Sequence, residues 1–223
     1  GCNRRIIRFG LEPRWDVYSQ NAEVNLGYYS FDIICFGEFY CRATLQVPGE
    51  HNMKNALAAA AACHALGVSG KAFAAGLGGY TGVGRRFERK GTFQGAVIYD
   101  DYAHHPDEII ATLKTAKSMG YDRVICVFQP HTYSRTKALF DDFVRELKKS
   151  DVVVLAEIYA ARERNTIGIS SAQLAEQIPG AVYCETLPDV TAYLRENVRE
   201  GDIVVTMGAG DIFRAGEALI SGE

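Results

Sequence analysis

The feature that most constrains this chain is a series of short, mainly apolar runs at 96–99, 124–128, 152–155, 181–184 and 203–207. A strand that is apolar at successive positions has no polar face, so it must be covered on both sides. The intervening stretches, at about 106–119, 136–149, 170–177 and 190–198, carry apolar residues at helical spacing, and a last helix is expected after Gly210. Such alternation predicts an α/β domain from about Arg85 to the end. Its core would be a Rossmann-like, doubly wound, mostly parallel sheet with helices on both faces and right-handed crossovers.

The residues before Arg85 read differently. Short alternating runs between Ile6 and Val47, broken at Leu26-Gly27 and Phe36-Gly37, predict small antiparallel strands. After Pro48-Gly49, an Ala-rich helix is expected from Asn52 to Leu66, with Gly67 past its end and Ser69 capping a second helix. Five glycines between Gly76 and Gly84 predict a hinge. The expected organisation is therefore two domains, 1–84 and 85–223. The first amino acid is not Met and the first strands look like the end of a sheet, so the chain is expected to be part of something longer.

Composition narrows the function. A net charge of −3 with no long basic block argues against nucleic acid as a partner. No segment is apolar for long enough to insert in a membrane. The six cysteines, Cys2, Cys35, Cys41, Cys63, Cys126 and Cys184, lack CxxC spacing, which predicts free thiols in a reducing cytoplasm. The pairs Arg4-Arg5, Arg85-Arg86 and Lys148-Lys149 read as solvated surface or single-phosphate contacts.

Ligands of a wound sheet sit outside the carboxyl ends of its strands. Four such ends carry polar or small residues here: Asp100-Asp101-Tyr102-Ala103-His104-His105-Pro106, Gln129-Pro130-His131-Thr132-Tyr133-Ser134-Arg135, Glu157 to Glu163, and Gly208-Ala209-Gly210-Asp211. Carboxylates suit ribose hydroxyls, imidazoles and phenols suit carboxylate or phosphate oxygens, and Arg135 suits a bidentate anion. The bland alternative is that Asp100 or Asp101 caps the following helix and that Thr132 or Ser134 caps the next. Backbone amides of the GAGD turn could meet an anion, or the turn could serve close packing alone. Upstream, His51 and Asn55 share one face of a first helical turn, where an Asn amide suits an adenine edge. A metal reading of the His104-His105 pair lacks i, i+4 spacing, and no residue in the chain is assigned to a metal. No Walker A loop is present, since Gly70-Lys71 is followed by Ala72.

Six strings in order, PGEHNMKNALAAAAA, GVGRRFERKG, DDYAHHPDEI, FQPHTYSRT, EIYAARE and MGAGDI, resemble the Mur ligase family of peptidoglycan-precursor synthesis. The DDYAHHP string is similar to one shared by the branch that reattaches murein tripeptide, whereas QPHTYSR favours the branch that joins L-alanine to UDP-N-acetylmuramate. A non-catalytic nucleotide-binding module is the third reading. The resemblance implies the end of a central ATPase domain followed by the whole carboxyl-terminal domain, with the P-loop and the Mg²⁺ ligands upstream. ATP would phosphorylate the muramoyl carboxylate, and the amine of L-alanine would displace phosphate from the acyl phosphate. It also implies roles: His51 and Asn55 near adenine, Arg86 at the nucleotide phosphates, Asp101 near the ribose. Tyr102, His104, His131 and Arg135 would surround the amino acid and the carboxylate, with His104, His131 and Arg135 catalytic. Thr132 stands where many relatives have Arg, which would place more of the carboxylate on Arg135.

Overall fold

In the computed structural model, residues 6–222 are described; Cys2 and the Arg4-Arg5 pair lie outside them. The chain forms two compact units divided between Gly82 and Val83.

In the first unit, β1 (Phe9–Gly10), β2 (Val17–Asn25), β3 (Tyr28–Cys35) and β4 (Glu38–Thr44) form a sheet in that order. β2 to β4 are antiparallel, as the alternation predicts, but β1 pairs parallel to β2. The tight links are two-residue turns at Leu26-Gly27 and Phe36-Gly37, with all four residues at positive φ, the geometry that matches strand twist in a hairpin. α1 (Glu50–Ala65) and α2 (Gly70–Gly78) follow. Phe31, Ile33, Leu57 and Ala60 are fully buried in this unit's core. Ser69 Oγ accepts from Ala72 N at the start of α2, as its sequence position predicts. The glycine run is only partly a linker, because Gly76 to Gly78 complete α2.

The second unit holds six strands in the order β5-β6-β10-β7-β8-β9: β5 (Glu88–Phe93), β6 (Ala96–Asp101), β7 (Arg123–Phe128), β8 (Val152–Ala156), β9 (Val182–Cys184) and β10 (Asp202–Met207). All pairs are parallel except β5 with β6. The five expected strands are present. β5 was not expected, because Glu88, Arg89 and Lys90 give it the charged face of an edge strand rather than an apolar run. One face packs Leu113, Phe128, Phe143 and Leu155; the other packs Ile98, Val127, Val154 and Leu219. The sheet is thus covered on both sides.

The helices are α3 (Pro106–Ser118), α4 (Tyr133–Ala138), α5 (Phe140–Leu147), α6 (Ser171–Glu176), α7 (Leu187–Asn197) and α8 (Phe213–Ser221). The single helix expected over 136–149 is two, broken at Leu139, whose φ of −113° and ψ of 22° lie outside helical geometry. α7 starts earlier than the apolar spacing implies, since Thr186 and Asp189 form a capping box with Pro188 in the first turn.

The five described cysteines are free thiols, and Cys126 is fully buried in the core. Among the described residues, no helix is long and apolar enough to cross a membrane.

Candidate active site

Strand register brings the four polar strand ends to one edge. Met207 of β10 is level with Asp101 of β6 and Phe128 of β7, and Phe128 is level with Leu155 of β8. Beyond the sheet, His131 and Tyr159 continue the parallel pairing as a bridge, with Tyr159 N donating to Pro130 O and Thr132 N to Tyr159 O, both at 2.9 Å. Gln129 Nε2 donates to Asp211 Oδ1 at 3.0 Å, and Asp211 N donates back to Gln129 Oε1 at 3.1 Å. That pair ties the loop after β7 to the loop after β10.

Tyr102, His104, His131 and Tyr159 form a row of rings. Centroids lie 5.4 Å apart for Tyr102 and His104, 6.1 Å for the two histidines, and 5.7 Å for His131 and Tyr159. His104 Nδ1 lies 2.9 Å from Tyr102 O. A carbonyl only accepts, so Nδ1 carries the hydrogen, and in the neutral ring Nε2 holds the lone pair. Glu108 fixes this corner: its Oε2 accepts from His104 N and His105 N. The α3 cap is His105, so neither Asp100 nor Asp101 serves there.

His131 and Arg135 are the exceptional members. Nδ1 of His131 and one terminal guanidinium nitrogen of Arg135 are buried without a hydrogen-bond partner. Buried polar atoms are nearly always paired, by protein, water or ligand, so these two, unlike the similarly unpartnered Ser171 Oγ, are open to a ligand at the carboxyl edge. Burial holds the His131 imidazole below its ordinary pKa, the Arg135 and His104 charges push it the same way, and Glu163 opposes them. His131 is therefore a neutral imidazole near pH 7, beside a cation that has a free donor. Ser134 does not cap α4; its N and Oγ both donate to Glu163. Thr132, the N-cap residue of α4, makes no side-chain cap bond and has a φ of 68°. A β-branched residue there is strained.

Two expected ligands turn inward. Asp101 is only 7 % exposed. Its Oδ1 accepts from Ala103 N at 2.8 Å, and its Oδ2 accepts from Phe87 N and Thr112 Oγ1 at 3.1 Å each. The carboxylate thus organises the loop rather than facing solvent. Likewise, the GAGD turn spends Asp211 N on Gln129, and Gly208 N donates to Asp101 O. Gly210 is required by close approach, since a Cβ there would lie 2.4 Å from Gln129 Oε1 and 2.6 Å from Tyr159 Cγ.

Burial raises the Asp101 carboxyl to about 6. The unfolded value is near 3.9, so its contribution to stability is fully present below that pH and is lost as pH rises through about 6. The shift corresponds to about 2–3 kcal/mol. Asp101→Asn cannot titrate and faces Phe87 N or Ala103 N with a donor. We expect the stability gap between the protein and this variant to be larger at pH 4 than at pH 7. Urea unfolding at the two pH values checks this, and an equal gap contradicts it.

The Arg85-Arg86 pair divides. Arg86 is more than half exposed, with its guanidinium 3.8 Å from Glu108 Oε1 and over the Tyr102 ring. Arg85, expected on the solvated surface or at a single phosphate, is only 27 % exposed and bonded within the unit. Its Nε donates to Asp100 Oδ2 at 3.0 Å, and its terminal nitrogens donate to Gly208 O at 2.8 Å and Gly210 O at 3.1 Å. In the sequence it stands only as one of two adjacent arginines in the GVGRRFERKG string, and nothing there separates its role from that of Arg86. Glu157 is structural too, accepting from Tyr183 Oη at 2.6 Å and from Ile158 N at 2.7 Å.

His51 and Asn55 lie in the first unit, on the first turns of α1. Burial lowers the His51 pKa. Asn55 Nδ2 donates to Asn52 Oδ1 at 3.1 Å, and Asn52 Nδ2 donates to Pro48 O at 2.8 Å. Both asparagines line a largely apolar cavity of about 480 Å³ together with Ala56, Phe73, Leu77 and Tyr80. His64 packs against the rings of Phe36 and Tyr40.

A doubly wound sheet with imidazoles, a phenol and an arginine gathered on its carboxyl edge defines an α/β domain whose polar edge carries groups suited to acid–base and anion chemistry. Residues 85–210 match the family described as Mur ligase, glutamate ligase domain, and the chain belongs to the Mur ligase family. It is 49 % identical over 221 residues to a UDP-N-acetylmuramate–L-alanine ligase of Lachnospira eligens, covering 96 % of this chain and 48 % of that protein. With the enzyme of that name from Acetivibrio thermocellus the identity is 44 %, covering 98 % and 48 %. The solved UDP-N-acetylmuramate–alanine ligase of Thermotoga maritima superposes with a TM-score of 0.81 at 26 % identity, over 97 % of this chain and 47 % of that one. A murein peptide ligase of Psychrobacter arcticus shares the fold, with a TM-score of 0.63 at 24 % identity over 93 % and 44 %. The chain spans about half the length of the curated relatives it matches.

Proposed function

We propose that this chain supplies the carboxyl-terminal region of an ATP-dependent ligase that joins L-alanine to UDP-N-acetylmuramate in peptidoglycan precursor synthesis. The observation that supports it most is the pair of buried, unpartnered polar atoms on His131 and Arg135 at the carboxyl edge of the sheet. A carboxylate-bearing ligand would give the Arg135 guanidinium its missing acceptor. A neutral imidazole next to it suits an amine nucleophile, which must shed a proton before it can attack. In this reading ATP converts the muramoyl carboxylate to an acyl phosphate, the amine adds to the carbonyl carbon, and the tetrahedral intermediate collapses with loss of phosphate. His104, His131 and Arg135 act on the reacting groups, and Tyr102 lines the acceptor site. The work of the site is positioning and charge stabilisation.

The nucleotide roles belong to the same proposal. His51 and Asn55 would face adenine and Arg86 the phosphates, while Asp101, its oxygens turned into the loop, holds the shape of that corner instead of meeting the ribose. The Mg²⁺ that accompanies ATP, and the γ-phosphate, would be held by residues outside this chain, as the family resemblance implies. The domain assignment follows: 1–84 as the end of the central ATP-binding domain, 85–223 as the carboxyl-terminal ligase domain, acting in the cytoplasm.

The 223-residue chain alone is expected to sustain no ADP release with UDP-N-acetylmuramate, L-alanine and ATP–Mg²⁺, whereas the full-length protein does so only when the amino acid is present. Sustained turnover by the chain alone would contradict the division of labour. A full-length protein that prefers a murein tripeptide to L-alanine would overturn the choice of acceptor.

A further inference from the structure

We infer that Tyr159 is the positioning residue for His131, holding the imidazole between the bridge that flanks it and the ring stacked upon it; this rests on the ligase reading of the site. Three independent contacts converge on Tyr159. Its N–H and C=O bond to Pro130 O and Thr132 N, the residues either side of His131, so the two backbones cannot slide relative to one another. Its ring lies 5.7 Å from the His131 ring at an interplanar angle of 20°, within the range of an offset stack. The glycine at 210 leaves room for that ring, because any side chain there would overlap its Cγ.

The stack has a consequence for His131. Its Nδ1 makes no hydrogen bond within the chain, so nothing else holds the ring rotation on that side. Tyr159 supplies a flat wall that fixes the ring plane and shields it from water. The charged and titratable groups that face His131 are Arg135 from α4, His104 from the loop before α3, and Glu163 from the loop after β8. The first two disfavour the imidazolium, as the wall does by excluding solvent. Removing the wall leaves Arg135 and His104 in place but rehydrates the imidazole, so its pKa rises toward the ordinary value. Tyr159 itself is 38 % exposed, so replacing the ring leaves no sealed cavity.

The test compares Tyr159→Phe and Tyr159→Leu in the full-length protein, reading the His131 titration by histidine-selective NMR and steady-state kinetics with L-alanine and ATP varied separately. Phe keeps the stack and is expected to retain both the titration and the rate. Leu is expected to move the His131 titration upward and to lower kcat/KM for L-alanine by about tenfold or more, the scale of a misplaced catalytic group, with KM for ATP unchanged. An unchanged titration or an unchanged kcat/KM in Tyr159→Leu overturns the inference. So does a shift in Tyr159→Phe equal to that in Leu, which would make the hydroxyl the agent. Should Leu fail to fold, Tyr159→Met, which likewise removes the ring, is read in its place with the same two outcomes. If the wild-type protein releases no ADP in response to L-alanine, the ligase reading fails, and the titration still reports whether Tyr159 governs His131.

Discussion

Arg135→Ala in the full-length protein is expected to lower kcat/KM for L-alanine in the proposed ligation by about a hundred- to a thousandfold, the loss seen when one preorganised donor is removed from a developing charge. Arg135 lies in the first turn of α4, where Leu139 N donates to its backbone carbonyl at 3.0 Å. One terminal nitrogen is buried and has no partner. The substitution therefore removes a group that contributes little to folding and that a ligand would complete. Stability is expected to hold or rise slightly, because a buried donor without an acceptor is a cost that Ala does not carry. Activity falling while the unfolding midpoint stays level separates this from ordinary core damage. Arg135→Lys restores charge but not the planar fork, so it recovers only part of the loss. Thr132 sharpens the case. Where this chain has Thr, many relatives are expected to have Arg, which would leave Arg135 as the arginine available to the carboxylate. Steady-state kinetics of the two variants, read beside their thermal unfolding, check the result. Wild-type kcat/KM in Arg135→Ala would remove the anion from the proposed site.

The legible parts of this fold are those written in local patterns. Apolar runs placed β6 to β10 to within a residue or two at most ends, since a strand buried on both faces leaves no alternative composition. Ser69 and Pro106 marked helix starts because caps are local chemistry. What escaped depends on distant partners. β5 is an edge strand whose pairing with β6 is invisible in Glu88, Arg89 and Lys90. The break at Leu139 interrupts a pattern that reads as one amphipathic helix. The site shows the same division. Its residue types were legible because four strand ends carried chemistry, and the register of β6, β10, β7 and β8 aligns those ends. Direction was not legible: nothing in DDYAHHP says that Asp101 turns toward Phe87 N while His104 stays partly exposed. Arg85 and Tyr159 were missed as individuals because their importance comes from partners 123 and 28 residues away, at Gly208 and at His131.

Arg85→Ala is the substitution expected to cost the second unit most stability, about 3–5 kcal/mol, the range for breaking a buried ion pair by removing one partner. Asp100 is fully buried. Burial pushes its carboxyl up, while Thr206 and Arg85 hold it down. Thr206 Oγ1 donates to Oδ1 at 2.8 Å and Arg85 Nε to Oδ2 at 3.0 Å. With Arg85 gone, the second oxygen faces the interior without a partner, and the carbonyls of Gly208 and Gly210 each lose a donor. The guanidinium also lies 4.5 Å from the Phe213 ring centroid and 5.0 Å from that of Tyr102, so the variant loosens both the start of α8 and the ring row of the site. The pH dependence identifies the cause. An uncompensated Asp100 can relieve its burial only by taking up a proton, so its folded pKa rises further above the unfolded value. That contribution is present at low pH and is lost as pH rises, so the deficit of Arg85→Ala should shrink as pH falls from 7.5 toward 5. Asp100→Asn added to Arg85→Ala should recover part of the loss at pH 7.5 and abolish most of that pH dependence, since the amide carries no charge to desolvate. A double-mutant cycle by urea unfolding at both pH values measures the coupling. Additive costs that do not change with pH would mean that the pair is spectator geometry, and that the loop after β10 is held by packing alone.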